Sequence, residues 1–105
     1  MNILIDECLP RYLKKVLSEF SNQTVQEAGW SSVKNGPLLK LAEQSFDVFL
    51  TADQNLQYQK NLKNREIAVI VFPSNRLGVV KQYEGKLQEV LAGTKAGDCI
   101  ELWSL

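Results

Sequence analysis

The chain has 105 residues, which suits one domain spanning residues 1–105, and its 45% hydrophobic and 23% charged residues are ordinary for a globular protein. Its formal net charge is zero, so any nucleic-acid binding must depend on a local basic patch. The absence of histidine excludes Ser-His-Asp and Cys-His nucleophile systems and the usual His-containing zinc sites. We therefore expect carboxylates to carry any chemistry.

The sequence gives no sign of a membrane or secretory protein. No apolar run approaches the ~18 residues that a membrane helix needs, and the N-terminal residues 1–6 lack the basic and long apolar regions of a signal peptide. Cys8 and Cys99 are too few for a disulfide framework and are expected to be buried, reduced thiols. We expect a cytoplasmic protein with no membrane partner.

The first half of the chain predicts two strands and two helices. Asn2–Ile5 is a short apolar run typical of a buried strand, and residues 9–20 carry apolar side chains at helical spacing, with Pro10 in the first turn. Ser21-Asn22 is predicted to end that helix. Residues 24–26 form a weak edge-strand candidate, and residues 27–34 a loop. Asn35-Gly36-Pro37 is predicted to open a second helix.

The second half predicts three further strands. Residues 46–51 and the fully apolar residues 67–72 indicate buried strands, separated by a polar segment, residues 52–64, with a short helix and a loop. Ser74-Asn75 can cap one helix that continues to about Gly93. Residues 99–103 alternate like a final strand.

This alternation of strands and helices predicts an α/β fold of three layers, α/β/α, with a mainly parallel five-stranded sheet. Right-handed crossovers leave few topologies, and we expect the first and third strands to be neighbours. Ligands of such folds bind beyond the carboxyl ends of the strands where the strand order reverses. The predicted site is therefore at that edge of the sheet.

Acidic residues follow both of these strands. Asp6-Glu7 comes directly after the first, and Thr51-Ala52-Asp53 after the third. Clustered carboxylates repel one another unless a cation neutralises them, and Mg²⁺ or Mn²⁺ with oxygen ligands is the ordinary solution. Water on such a cation can attack a phosphodiester. The alternative is structural, since Asp and Asn at strand ends also cap helices and form turns.

Other residues of this region have two interpretations each. The Thr51 hydroxyl can orient a carboxylate or a water, or Thr51 can be a simple β-branched strand residue. Asn35 can bring an oxygen to the cleft or cap its own helix. Glu43 and Asp47 are predicted to be surface charges at the far end of the third strand. Basic residues can rim the acidic cleft and hold a polyanion, or form a solvated face: Arg11, Lys14, Lys15, Lys34, Lys60, Lys63 and Arg65.

Two motifs resemble those of PIN-like domains. They are ILIDECLP at residues 3–10 and FDVFLTADQNL at residues 46–56, with Thr-x-Asp after a strand. The closest resemblance is to a compact bacterial branch related to the Mut7-C group, a domain of unknown function. The likeness is strongest over residues 2–11 and 35–72. The run at residues 57–65 also resembles a feature of this branch, without a mechanism that we can assign.

This resemblance implies a metal-dependent ribonuclease fold, often the toxin of a toxin–antitoxin pair. Asp6 and Asp53 match the metal-binding aspartates of the family, and Glu7 lies beside the first. Related domains commonly carry another acid at the start of the second helix, where this chain has Asn35. An amide oxygen can ligate Mg²⁺ but adds no charge.

Three functions are therefore compared. The first is a Mg²⁺- or Mn²⁺-dependent endoribonuclease, in which Asp6 and Asp53 hold the metal while Glu7, Asn35 and Thr51 ligate it or position water. The second is a catalytically weak or inactive module that binds a protein or RNA partner. The third is a receiver-like domain. This sequence argues against it, because it has no convincing lysine after a fifth strand. A cognate antitoxin is a possible partner, and Trp30 and Trp103, if exposed, would allow a homodimer.

Overall fold

The computed structural model describes residues 1–54 and 65–104, apart from the side chain of Asn35. In these residues five strands form one sheet, and all neighbouring strands are parallel. The strands are β1 (Asn2–Ile5), β2 (Ser21–Thr24), β3 (Val48–Thr51), β4 (Ala68–Val71) and β5 (Cys99–Glu101). Their order, β2-β1-β3-β4-β5, is one of the common arrangements of doubly wound α/β sheets. The expected pairing of the first and third strands is confirmed.

Helices cover both faces of this sheet. They are α1 (Tyr12–Val16), α2 (Asn35–Ala42), α3 (Leu77–Gln82) and α4 (Glu84–Leu91), and a 3₁₀ helix, Leu102–Ser104, follows β5. Residues of α1, α3 and α4 pack on one face, and residues of α2 pack on the other. The predicted three-layer α/β/α fold with a five-stranded parallel sheet is confirmed.

The central strands are buried because both of their faces are covered. Every residue of β3 and β4 is buried. Side chains alternate between faces along a strand, so Leu50 and Ile70 belong to the core layer under α1, α3 and α4, whereas Phe49 and Val69 belong to the layer under α2. The continuous apolar run of residues 67–72 is thus explained by a strand with a hydrophobic layer on each side.

The region after β1 differs from the sequence prediction. The α-helix covers only Tyr12–Val16, whereas the apolar spacing continues to residue 20. The remaining turns hold Leu17 in the core and lead directly into β2, so Ser21 and Asn22 belong to a strand. The predicted edge strand at residues 24–26 therefore starts three residues and ends two residues too late. Hydrogen bonding to β1 decided the position of β2, and its polar sequence carried no periodic signal.

The single helix predicted after Ser74-Asn75 is two helices. They meet at Tyr83, whose φ of −98° and ψ of 5° leave the helical region. Gly78 and Gly85 lie on either side of this break, and each lowers helix propensity by about 1 kcal/mol relative to Ala. Val80 of α3 and Leu87 of α4 are both fully buried in the core.

The two tryptophans differ in their surroundings. Trp30, predicted to be exposed, is partly buried and packs edge-to-face on Phe46 with ring centres 5.9 Å apart. Trp103 is 37% exposed. No helix in the described parts of the chain has the length and apolar character to span a membrane. Of the polar segment predicted at residues 52–64, residues 55–64 lie outside the described residues.

Candidate functional site

The register of β1 and β3 brings the two acidic segments to one edge of the sheet. Ile5 lies opposite Leu50, so Asp6 and Thr51 both follow at the carboxyl ends of neighbouring strands. The Asp6 backbone N–H donates to the carbonyl of Leu50 at 2.9 Å, which extends the ladder to Asp6. Parallel strands joined by crossovers place these ends on the same side. The segments that begin at Asp6 and Thr51 therefore lie side by side because β1 and β3 are neighbouring parallel strands.

Thr51 connects the two acidic segments through its hydroxyl group. It is fully buried, and its Oγ1 donates to Asp6 Oδ2 at 2.6 Å. The same oxygen accepts from the backbone N–H of Asp53 at 3.0 Å. Asp6 is only 9% exposed, so this charge-assisted bond fixes the direction of its carboxylate. Of the two interpretations of Thr51, the one in which it orients a carboxylate describes the observed contact.

Asp6 and Asp53 line one cleft of about 500 Å³, behind which Thr51 is buried. The cleft brings together Asp6, Glu7 and Asp53, three of the acids selected from the sequence. Its other lining residues are Cys8, Ala52 and a segment from the β4–α3 loop, Pro73, Ser74 and Asn75. From the sequence we expected Ser74 and Asn75 only to cap a helix. The signal that identifies them is strand order, since β4 neighbours β3 and its loop opens at the same edge.

Glu7 is exposed and reaches toward the loop before α2. Its Oε1 accepts a long hydrogen bond of 3.4 Å from the backbone N–H of Ser32. Ser32 has a φ of +67°, a left-handed conformation that is uncommon for residues other than glycine. Strained residues of this kind concentrate at functional sites. Glu7 thus lines the cleft and also contacts the loop that leads to Asn35.

Cys8 corrects one sequence expectation. It is exposed and lines the cleft, whereas we expected both cysteines to be buried, and Cys99 is half-buried in β5. Partial removal of the Cys8 thiol from water raises its pKa, and the negative charge of nearby Asp6 raises it further. A thiol with a raised pKa is a poor nucleophile near neutral pH. The carboxylates remain the better candidates for chemistry at this site.

Other predicted site residues are only partly covered by the structure. The backbone of Asn35 begins α2, as predicted, but its side chain lies outside the described residues. Lys60, Lys63 and residues 57–64 of the distinctive run also lie outside them. The structure therefore places neither Asn35's amide nor these lysines relative to the cleft.

Arg65 and Glu43 form an ion pair of 3.0 Å near the start of β4. This pair lies at the amino ends of the strands, so Arg65 does not rim the cleft, and Glu43 is half-buried and paired. Asp47, also at that end, is exposed and accepts from the backbone N–H of Asn2 at 2.7 Å. The charges at the two ends of β3 thus have different surroundings.

The donor set suits a hard cation held by few protein ligands. Carboxylate oxygens are the ligands that Mg²⁺ and Mn²⁺ prefer, and the cleft contains three carboxylate residues. Within residues 1–54 and 65–104, however, no group of three or more His, Cys, Asp or Glu side chains is close enough to hold a metal ion together. The described residues fit at most two protein carboxylates on one cation, which is a common number for Mg²⁺.

Comparison with known proteins adds no relative: no family model, no curated protein and no solved structure matches the chain. The resemblance to PIN-like domains stays a prediction.

Proposed function

We propose that the protein is a Mg²⁺- or Mn²⁺-dependent endoribonuclease of PIN-like type, with Asp6 and Asp53 as its cation ligands. The observation that supports this proposal is the cleft itself, in which both aspartates lie at the ends of adjacent parallel strands. This is the edge of a doubly wound sheet where ligands bind. Two carboxylates also suit the ligand number that Mg²⁺ commonly takes from a protein.

The bound cation would supply a water of lowered pKa and a positive charge beside the phosphate. The protein's own residues would do the positioning. Thr51 keeps Asp6 Oδ2 engaged, so the other oxygen of this carboxylate would be the one to ligate a cation. Glu7, at the cleft wall, would orient a water, and the amide of Asn35 would add a neutral oxygen. Ser74 and Asn75, which also line the cleft, would donate to phosphate oxygens.

The experiment measures cleavage of a fluorogenic single-stranded RNA with Mn²⁺ or Mg²⁺. We expect Asp6→Asn and Asp53→Asn each to lower the rate at least about 100-fold, because loss of a ligand should cost more than the roughly 10–100-fold that loss of a residue behind a ligand costs. Asp47→Asn makes the same chemical change at the amino end of β3 and should cleave at the wild-type rate. Chelation of the metal should abolish cleavage. Equal rates for all four proteins would rule out this site.

A second candidate is a module that binds a protein or RNA without cleaving it. The absence of a three-ligand group in the described residues favours it, as does Asn35 at the position where related domains commonly carry an acid. Titration calorimetry with Mn²⁺ separates the two candidates. Binding in the micromolar to millimolar range that Asp6→Asn removes supports the nuclease, and no binding supports the module.

The partners of this proposal are testable in the same preparation. As the toxin of a toxin–antitoxin pair in the cytoplasm, the protein would be inhibited by a cognate antitoxin that covers the cleft. A homodimer would use Trp103, which is 37% exposed. Light scattering at high protein concentration tests the homodimer, because a monomeric mass would contradict it.

A further inference from the structure

A basic hollow of about 440 Å³ lies on α1, outside the cleft. It is lined by Arg11, Tyr12, Lys14 and Lys15. A fifth residue joins from α3, since Lys81 Nζ lies 4.9 Å from the centre of the Tyr12 ring in a cation–π contact. We call these five residues the α1 patch. Cations from two separate helices thus meet on one surface.

Among the described residues, only part of this positive charge is neutralised. Lys14 forms an ion pair with Glu27, and the Tyr12 hydroxyl donates to Glu84. In the part of the chain that the structure describes, no carboxylate pairs with Arg11, Lys15 or Lys81. The patch therefore keeps a net positive charge, although the whole chain has a net charge of zero.

The α1 patch stands on the two helices that lead out of the cleft. The turn at Asp6, whose carbonyl accepts from the N–H of Leu9, runs directly into α1. The cleft residues Pro73 to Asn75 run directly into α3. Both helices pack on the same face of the sheet, where Leu13 and Val80 share one core layer. The patch therefore lies on the face of the sheet whose two helices begin just after cleft residues.

We infer that the α1 patch binds the sugar-phosphate backbone of the RNA strand whose scissile bond occupies the cleft. This inference rests on the proposed function for its choice of RNA over an acidic protein. Phosphates next to the scissile bond carry one charge each, and lysine and arginine neutralise them with release of counterions. The acidic floor repels such a polyanion, so a separate basic surface is needed to retain the strand.

The test measures RNA binding in EDTA, where no cation-dependent cleavage occurs. Its readout is the fluorescence anisotropy of a fluorescein-labelled 12-nucleotide RNA. The double variant Arg11→Gln/Lys15→Gln should bind at least about 10-fold more weakly. The fall of log affinity with log salt should also become shallower, its slope decreasing in magnitude by about 1.4, or 0.7 for each lost contact. Lys40→Gln/Lys95→Gln removes two exposed lysines elsewhere and should stay within about 2-fold of wild type.

Three results would overturn the inference. One is equal binding by the patch variant and wild type. Another is equal weakening by the two double variants, which would make the effect one of net charge. The third is competition by poly-glutamate as effective as that by unlabelled RNA of equal charge, which would assign the patch to an acidic protein.

The binding assay and the cleavage assay can contradict the patch inference and the proposed nuclease function separately. If wild type cleaves RNA and the patch variant both binds and cleaves like wild type, the inference fails and the nuclease stands. If RNA binds through the patch but wild type cleaves nothing under any divalent cation, the nuclease fails and the patch stands as an RNA site.

Discussion

The Thr51 hydroxyl holds the Asp6 carboxylate and the backbone of Asp53 in one arrangement at a fully buried position. Thr51→Val keeps the shape of the side chain and removes both hydrogen bonds. The buried Asp6 carboxylate loses a charge-assisted donor and carries a desolvation penalty, so we expect a destabilisation of about 1–3 kcal/mol. Urea unfolding at neutral pH measures this loss as a lower midpoint concentration of urea. The slope of the unfolding free energy against urea concentration should stay unchanged.

Thr51→Ser is the matched control for this prediction. It keeps the hydroxyl and loses only a buried methyl group, which costs about 0.8 kcal/mol. The Ser variant should therefore be more stable than the Val variant and keep more of any cleavage activity. A Val variant as stable as wild type would show that the buried bond adds nothing to the stability of the fold.

At the scale of elements, a one-turn motif anchors the edge strand β2. Thr24 ends this strand, and its N–H donates to Glu27 Oε1 at 2.9 Å while Glu27 N–H donates back to Thr24 Oγ1 at 3.1 Å. This reciprocal pair is the capping box of helix starts, here closing a turn. Lys14 of α1 contacts the same Glu27 oxygen. The motif thus ties β2 to the helix that precedes it.

This contact predicts a pH-dependent stability. The hydrogen bond from Lys14, together with that from the Thr24 backbone, lowers the pKa of Glu27 from its ordinary 4.5 to about 2. Because the folded-state pKa is the lower one, this stabilisation is present above pH 4.5 and is lost as the pH falls toward 2. The difference in urea midpoint between wild type and Glu27→Gln should therefore shrink between about pH 6 and pH 3.

Glu19→Gln is the control for this titration. Glu19 is exposed and makes no side-chain hydrogen bond or ion pair within residues 1–54 and 65–104. Its difference from wild type should stay small at every pH. A Glu27→Gln difference that is constant with pH would contradict the role of the Glu27 charge.

The same elements show what the sequence predicts well. β3 and β4 were predictable because a parallel strand with two covered faces must be apolar throughout. The pairing of β1 with β3 was expected among the few topologies that right-handed crossovers leave. β2 was misplaced because four polar residues at an edge carry no periodic pattern. The cation–π contact of Lys81 with Tyr12 and the Arg65–Glu43 pair join residues far apart in sequence, so only the fold reveals them.

The whole molecule has two chemically different ends. At the carboxyl ends of the strands, Asp6 and Asp53 face an open cleft. At the amino ends, Glu43 pairs with Arg65 and Asp47 accepts from the Asn2 backbone. The same residue types thus serve structure at one end and remain candidates for chemistry at the other. Strand direction, and not residue type, distinguishes them, which makes Asp47→Asn the right control for Asp6→Asn.

The sheet also makes the two core layers depend on each other. Phe49 and Leu50 are neighbours in β3 but belong to different layers, so loss of one layer exposes the reverse face of the strands that support the other. We therefore expect calorimetry to show one transition, with an enthalpy of about 70 kcal/mol near 60 °C for a chain of this length. The calorimetric and van't Hoff enthalpies should agree. Two resolved transitions, or a van't Hoff enthalpy well below the calorimetric one, would mean that one layer unfolds while the other persists.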